Sequence, residues 1–219
     1  MSLIRSLSVR LLCLTVASCS PSVEDQVQDL AAGAASENTR QALLLAKERA
    51  VGPLLGALDG PLEAGVRTQV ARILAALMMR TEDKRIEPTL VRLLRHDPDP
   101  TVRASVAKQF GMHGRTSFLP ALLAATEDSV ALVRQEALIA LGSMQNRWLD
   151  HEDKILTAAQ ALTHDDHLGT RVEALIVTSV GVQKRLQGAR NASLAGDLVG
   201  AESLMVAALA FAPGYKRAA

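Results

Sequence analysis

The densest group of residues able to bind a metal is His164-Asp165-Asp166-His167, two histidines three apart with two carboxylates between them. On a helix that spacing puts both rings on one face, where they could share a zinc ion. The four residues fall instead between two helical stretches. His96 also precedes Asp97 as His164 precedes Asp165, and such recurrence points to a turn. No metal site is expected. Other chemistries fail on residue type. There is no Gly-rich loop followed by Lys and Ser or Thr, no Gly-x-Ser-x-Gly elbow and no His-Glu-x-x-His. His151-Glu152-Asp153-Lys154 is a polar lead into a helix, and Asn191-Ala192-Ser193 is a short glycosylation match of a kind common by chance. The expectation is no catalytic residue, no cofactor, no small-molecule substrate and no enzyme.

Cys19 offers a different chemistry. Arg5 and Arg10 precede an apolar stretch, Leu11 to Ala17, too short to span a bilayer as a stable helix. Val16-Ala17-Ser18-Cys19 follows. This resembles the bacterial lipoprotein signal, in which small residues precede a cysteine. The resemblance implies cleavage before Cys19, a diacylglycerol on its thiol and usually an acyl group on the new amino terminus. Each buried methylene contributes roughly 0.8 kcal/mol, and two or more chains anchor stably. Ser20 stands where an Asp tends to retain such proteins at the inner membrane, so the resemblance favours the outer membrane, on the periplasmic side of a bacterial envelope. Cys13 would leave with the signal, and no free thiol would remain for a disulfide, a nucleophile or a metal. Loss of Arg5 and Arg10 from the 24 basic residues would leave 22 against 23 acidic, a net charge of −1.

Composition limits the kind of element that carries these residues. Hydrophobic residues make up 48% of the 219, but aromatics only 2%, so Ala and Leu carry the core. That suits close helix packing and is poor for sheet. No alternating run bounded by turns marks a strand. Balanced charge gives no general pull toward nucleic acid. The pairs Lys84-Arg85 and Lys184-Arg185 are too short for a basic groove, and one Trp and one Tyr offer little stacking. Trp148 reads as packing.

The chain repeats itself. Pro53, Pro88 and Pro120 open helical stretches and are followed two residues on by Leu55, Leu90 and Leu122, then five on by Leu58, Leu93 and Ala125. About fourteen residues past each proline stand Val66-Arg67, Val102-Arg103 and Val133-Arg134. Apolar residues recur three, four and seven past each arginine: Val70, Ala71 and Leu74; Val106, Ala107 and Phe110; Ala137, Leu138 and Leu141. Those offsets mark one face of an α-helix. A fourth copy aligns on Thr170-Arg171, with Ala174 and Leu175 on the inner face and Thr178 at the seventh position. Between the two helices of each unit lies an acidic turn. Asp97, Asp128 and Asp165 stand six residues before Arg103, Arg134 and Arg171, and Asp59 stands eight before Arg67, a two-residue insertion. The turn should cap the second helix, whose first N–H groups lack acceptors.

The Asp-turn-Val-Arg spacing over about 50–180 resembles the HEAT-repeat family. The resemblance implies an all-α solenoid, a superhelix of stacked antiparallel helix hairpins. It also implies a structural ladder in which Asp97, Asp128 and Asp165 bond Arg103, Arg134 and Arg171 within a unit or between neighbours. Such arrays present an extended concave surface to other proteins, and second-helix residues should line that curved inner face. Gln69, Arg72, Lys108, Gln109 and Gln135, on second helices, are the candidate contacts. Some HEAT-like proteins act on nucleic-acid bases or attach pigments to proteins, but no convergent set of acids or aromatics can be assembled here.

Gly196-Asp197-Leu198, Ala201, Ala208-Leu209 and Pro213 have the spacing of the second helix of a tetratricopeptide repeat, which they resemble over 182–215, though Ala192 stands where that family commonly has a tyrosine. The glycine should end one helix and the proline the next. The apolar run Leu204 to Phe211 should be partly exposed or covered by a partner, and residues 24–50 should cap the other end. The expected organisation is a signal peptide at 1–18, a tether at 19–39, HEAT-like repeats at 40–181 and a tetratricopeptide-like hairpin at 182–219. The expected function is a lipid-anchored envelope scaffold that binds other proteins. The alternatives are a regulatory or catalytic HEAT-like subunit and a cytosolic scaffold.

Overall fold

A computed structural model describes residues 21–211. Every regular element among them is a helix. Ser22 starts α1 (Val23–Ala31) with a capping box: its hydroxyl accepts the Asp25 N–H while the Asp25 carboxylate accepts the Ser22 N–H. Ser36 caps α2 (Glu37–Ala46). Lys47, at φ 51°, breaks the chain before α3 (Glu48–Ala57). Then come α4 (Ala64–Met78), α5 (Ile86–His96), α6 (Pro100–His113), α7 (Leu119–Ala125), α8 (Ala131–Ser143), α9 (Glu152–Ala161), α10 (Leu168–Leu194) and α11 (Leu198–Phe211).

Helices α3 to α10 pair as four hairpins. The first helices α3, α5, α7 and α9 stack in one layer, and the second helices α4, α6, α8 and α10 stack in the other. The layers meet along the residues three and seven past each arginine. Val70, Val106, Ala137 and Ala174 are buried, as are Leu74, Phe110, Leu141 and Thr178. Thr178 satisfies its hydroxyl on the Ala174 carbonyl at 2.8 Å, which lets a polar residue occupy a core position. Phe110 stacks on Phe118, ring centroids 4.0 Å apart and planes 10° apart. Trp148 is fully buried and donates its indole N–H to the Leu141 carbonyl at 2.8 Å. At the first end, α1 and α2 cover α3 and α4.

Three expectations are corrected. The stretch assigned as a tether, 19–39, contains α1 and the start of α2, and Val27 and Leu30 enter the common core. Its polar composition hid an amphipathic turn pattern that a neighbouring surface completes. Pro53 does not open a helix. The break at Lys47 starts α3 at Glu48, so the proline lies inside it, at the loss of one intrahelical bond. The division at 181/182 falls within α10, which runs unbroken for 27 residues. The second helix of the fourth hairpin and the first helix of the last hairpin are one. Cys19 and Pro213 lie outside the described residues.

Candidate functional site

The acidic turns and the arginines meet in a regular row. Arg67 donates Nε and Nη2 to the two carboxylate oxygens of Asp97, both at 2.8 Å. Arg103 does the same to Asp128 at 2.8 and 2.9 Å, and Arg134 to Asp165 at 2.8 and 2.9 Å. Each arginine therefore forks the aspartate of the following unit. Its third nitrogen, Nη1, turns back into its own unit: Arg103 to the Asp97 carbonyl at 2.7 Å, Arg134 to the Asp128 carbonyl at 2.8 Å, Arg171 to the Asp165 carbonyl at 2.8 Å. In the first unit the inserted turn offers the Leu62 carbonyl instead, and Asp59 is exposed. Within a unit, then, arginine and aspartate join through backbone, and carboxylate pairing is always between units.

The aspartates have a second task. Asp97, Asp128 and Asp165 each accept the backbone N–H two residues on, from Asp99, Val130 and His167, at 2.9–3.0 Å. They hold the turn that launches the next helix. The Arg134 hydrogen bonds hold the Asp165 carboxyl below its usual range against an opposing push from burial. For Asp128 burial is the largest influence and pushes upward, but the Arg103 and Val130 hydrogen bonds and the nearby guanidinium charges together bring it below the usual value. His167 caps α10 with Nδ1 toward the Thr170 N–H at 3.3 Å. The His164–His167 group is thus spent on a ladder rung and a cap. Among the described residues no group of three or more His, Cys, Asp or Glu is placed to hold a metal.

The outward face of the second helices is built from residues two, five and nine past each arginine. In order along the stack these are Gln69, Arg72 and Ala76; Ser105, Lys108 and Met112; Glu136, Ile139 and Ser143; Glu173, Ile176 and Val180. The fifth-position column reads Arg72, Lys108, Ile139, Ile176, basic and then apolar, while the second-position column beside it turns from neutral Gln69 and Ser105 to acidic Glu136 and Glu173. A shallow groove of 430 Å³ between α4, α6 and α8 is lined by Arg72, Thr101, Ser105, Lys108, Met112 and Leu132 among others. Met112 is 69% exposed, and Leu132 and Ile139 are also open to solvent.

The five candidate contacts separate on this geometry. Gln69, Arg72 and Lys108 are exposed on the face. Gln109 lines the groove wall but is buried, with its amide against Met112 Sδ at 3.8 Å. Gln135 stands one past its arginine and points to the next unit: a Cβ on Gly169 would lie within 3.0 Å of its amide. Gln109 and Gln135 are therefore packing residues more than contacts. Met112, Leu132 and Ile139 were missed because isolated apolar residues on a mostly apolar helix carry no mark of exposure.

Arg185 was also missed. It is buried inside α10, bonds Glu152 Oε1 at 3.0 Å and Asp153, donates to the Ala207 carbonyl at 2.9 Å, and lies 4.7 Å from the Phe211 ring centroid. It joins α9, α10 and α11. Burial pushes the Glu152 carboxyl up, but hydrogen bonds from Lys184 and Arg185 outweigh this and hold it below the usual range. Beyond Gly196, at φ +83°, α11 returns along the later half of α10, and its only buried residues are Ala201 and Ala208. Met205 and Val206 are about half exposed. No described helix is long and apolar enough to cross a membrane.

A family profile described as HEAT repeats matches residues 51–142 and 87–177, overlapping windows that together cover more than half of the chain. No curated protein matches the sequence. Among solved structures, a chain of the complex of CpcE and CpcF of phycocyanin lyase from Nostoc sp. PCC7120 is similar, at 25% identity and a TM-score of 0.55. The match covers 69% of this chain and 96% of that one.

Proposed function

Because this chain belongs to the HEAT-repeat family, we propose that it is a scaffold that binds another protein along the outward face of α4, α6, α8 and α10. The observation that carries this is the fifth-position column, basic at Arg72 and Lys108 and apolar at Ile139 and Ile176, on helices that the ladder holds in register. It suits an elongated segment with acidic residues at one end and, at the other, apolar residues flanked by basic ones that meet Glu136 and Glu173. The ordered stack supplies the preorganisation that keeps the entropic cost of binding low. The closing α10–α11 hairpin, with Ala201 and Ala208 at its seam, is read as tetratricopeptide-like. By resemblance, Cys19 carries the lipid that holds the scaffold at the envelope.

Affinity capture from membranes of the host, with the lipid-modified chain as bait, tests the face. Arg72→Glu with Lys108→Glu should abolish capture of the specific partner, and Ile139→Asp should weaken it. A partner retained equally by all three proteins would overturn the reading. Mass spectrometry of the native N-terminus tests the anchor: an unmodified chain beginning at Met1 would overturn it.

The similarity to a phycocyanin lyase chain supports a second reading, a subunit of an enzyme that modifies another protein. Under it, the captured partner would carry a covalent addition that disappears when this chain is deleted. An identical partner mass in both strains would sink it.

A further inference from the structure

The fourth unit is open where the first three are closed. The residues one, four and eight past each arginine face the next unit. In the first three units the fourth-position residues Ala71, Ala107 and Leu138 are fully buried. At the eighth position, a Cβ on Gly111 would lie 2.7 Å from Ala140 Cα, and one on Gly142 would lie 3.4 Å from Val177 Cγ2, so α6 and α8 are each pressed against the following helix. The same three positions in α10 are Val172, Leu175 and Ser179. Val172 is 44% exposed, Leu175 is 42% exposed and Ser179 is exposed too. Leu175 therefore does not keep the inner face, as its spacing predicted; it belongs to the column that stacks on the next second helix. The ladder stops at the same place. The Nη1 of Arg171 is used on the Asp165 and Asp166 carbonyls at 2.8 and 3.1 Å, but its Nε and Nη2 have no carboxylate among the described residues. Helix α11 does not close this face, because it lies along the later half of α10, with Leu204 at Gly188 and the Ala207 carbonyl at Arg185.

We propose that this face of α10, Arg171 with Val172, Leu175 and Ser179, is a docking site for a helix hairpin of another polypeptide, whose inter-helix turn places an aspartate in the open fork of Arg171. The inference deepens the protein-binding reading and rests on it, but uses a different face. Its warrant is continuity with an interface the molecule already repeats three times, together with the charge that interface demands. A planar guanidinium fork matches a carboxylate bidentately, and each earlier fork takes an aspartate. A second copy, presenting Asp166 or Glu173 from beside the same face, is a rival occupant that the test separates. So is head-to-tail stacking through the α1–α2 pair that forms the first end. Residues 212–219 contain neither Asp nor Glu.

The probe is a fluorescein-labelled peptide of residues 116–147, the α7–α8 hairpin that natively presents Asp128 to Arg103, titrated into the full chain. Saturable binding is expected. Arg171→Gln in the protein or Asp128→Asn in the peptide should each weaken it by about tenfold, and both together no further. Arg190→Gln, an exposed change elsewhere on α10, should leave it unaltered. Binding indifferent to Arg171→Gln overturns the proposal. Should the isolated hairpin not bind, benzoylphenylalanine at position 172 of the full chain, photolysed in the host, decides. An adduct on a helix pair of another polypeptide close to an aspartate, lost in Arg171→Gln, supports it. An adduct on residues 212–219, on a second copy or on no protein overturns it. Persistence of this adduct in the Arg72→Glu, Lys108→Glu protein separates the site from the outward face.

Discussion

The ladder joints between α4 and α10 and the closing joint of α9, α10 and α11 hold helices together in different ways. The ladder uses one bidentate pair per step, always in the same register, over a core of small and medium apolar residues. The closing joint uses one buried cation, Arg185, that bonds acids on α9 and a carbonyl on α11 at once. A ladder step repeats from unit to unit, whereas the Arg185 joint occurs once and fastens α11 back along its own neighbour after the turn at Gly196. The repeat thus fixes where another helix pair can stack, and α11 covers only the later half of α10.

The largest expected effect is in the ladder region's core. Phe110→Ala, which removes a fully buried ring stacked on Phe118, should cost about 3–5 kcal/mol in urea unfolding, whereas Val206→Ala on α11 should cost under about 0.5 kcal/mol. Comparable losses would erase the contrast. Next comes the same repeat position in two units. Arg134→Ala leaves the nearly buried Asp165 carboxylate without its partner and should cost about 3 kcal/mol. Arg171→Ala strands no carboxylate among the described residues and should cost under about 1 kcal/mol.

Arg185→Met should cost about 2 kcal/mol, and hydrogen exchange should show the loss concentrated in α11 and the end of α10, with α4–α8 protected as before. Uniform loss of protection would mean that the two joints are one cooperative unit. The smallest effect is on pH dependence. Asp128, Asp165 and Glu152 titrate below their usual values when folded, so they bind fewer protons folded than unfolded as pH drops past the ordinary carboxylate pKa. Their contribution is complete above that pKa and lost as pH falls through the depressed values. Thermal melts should fall most steeply below about pH 4, after a shallower loss as pH drops past the ordinary imidazole range, where burial holds His113 less basic than usual. Asp128→Asn should lower stability at pH 7 and flatten part of the acid limb.

Much of the ladder was legible because its chemistry is local in sequence: an aspartate six before an arginine recurs at 97, 128 and 165. What spacing left open was whether each pair closes within a unit or across units. The bonds show carboxylates across and carbonyls within. The core columns three and seven past each arginine were equally plain, since helix periodicity alone assigns them to a face. The fourth column was not, because an apolar residue there looks the same whether or not a neighbour arrives to cover it. Leu138 and Leu175 share a repeat position and differ from buried to 42% exposed.

On its own, the sequence settled the helical class, the period and the residues that recur, since propensity, helix faces and turn chemistry are properties of a dozen consecutive residues. Only the tertiary arrangement decided that α1 packs, that Gln109 is enclosed, that Arg185 is a hub and that α10 continues past the last rung. Burial is a property of what lies across a gap, and the residues across these gaps come from other parts of the chain, or, at Arg171, from none that the structure describes.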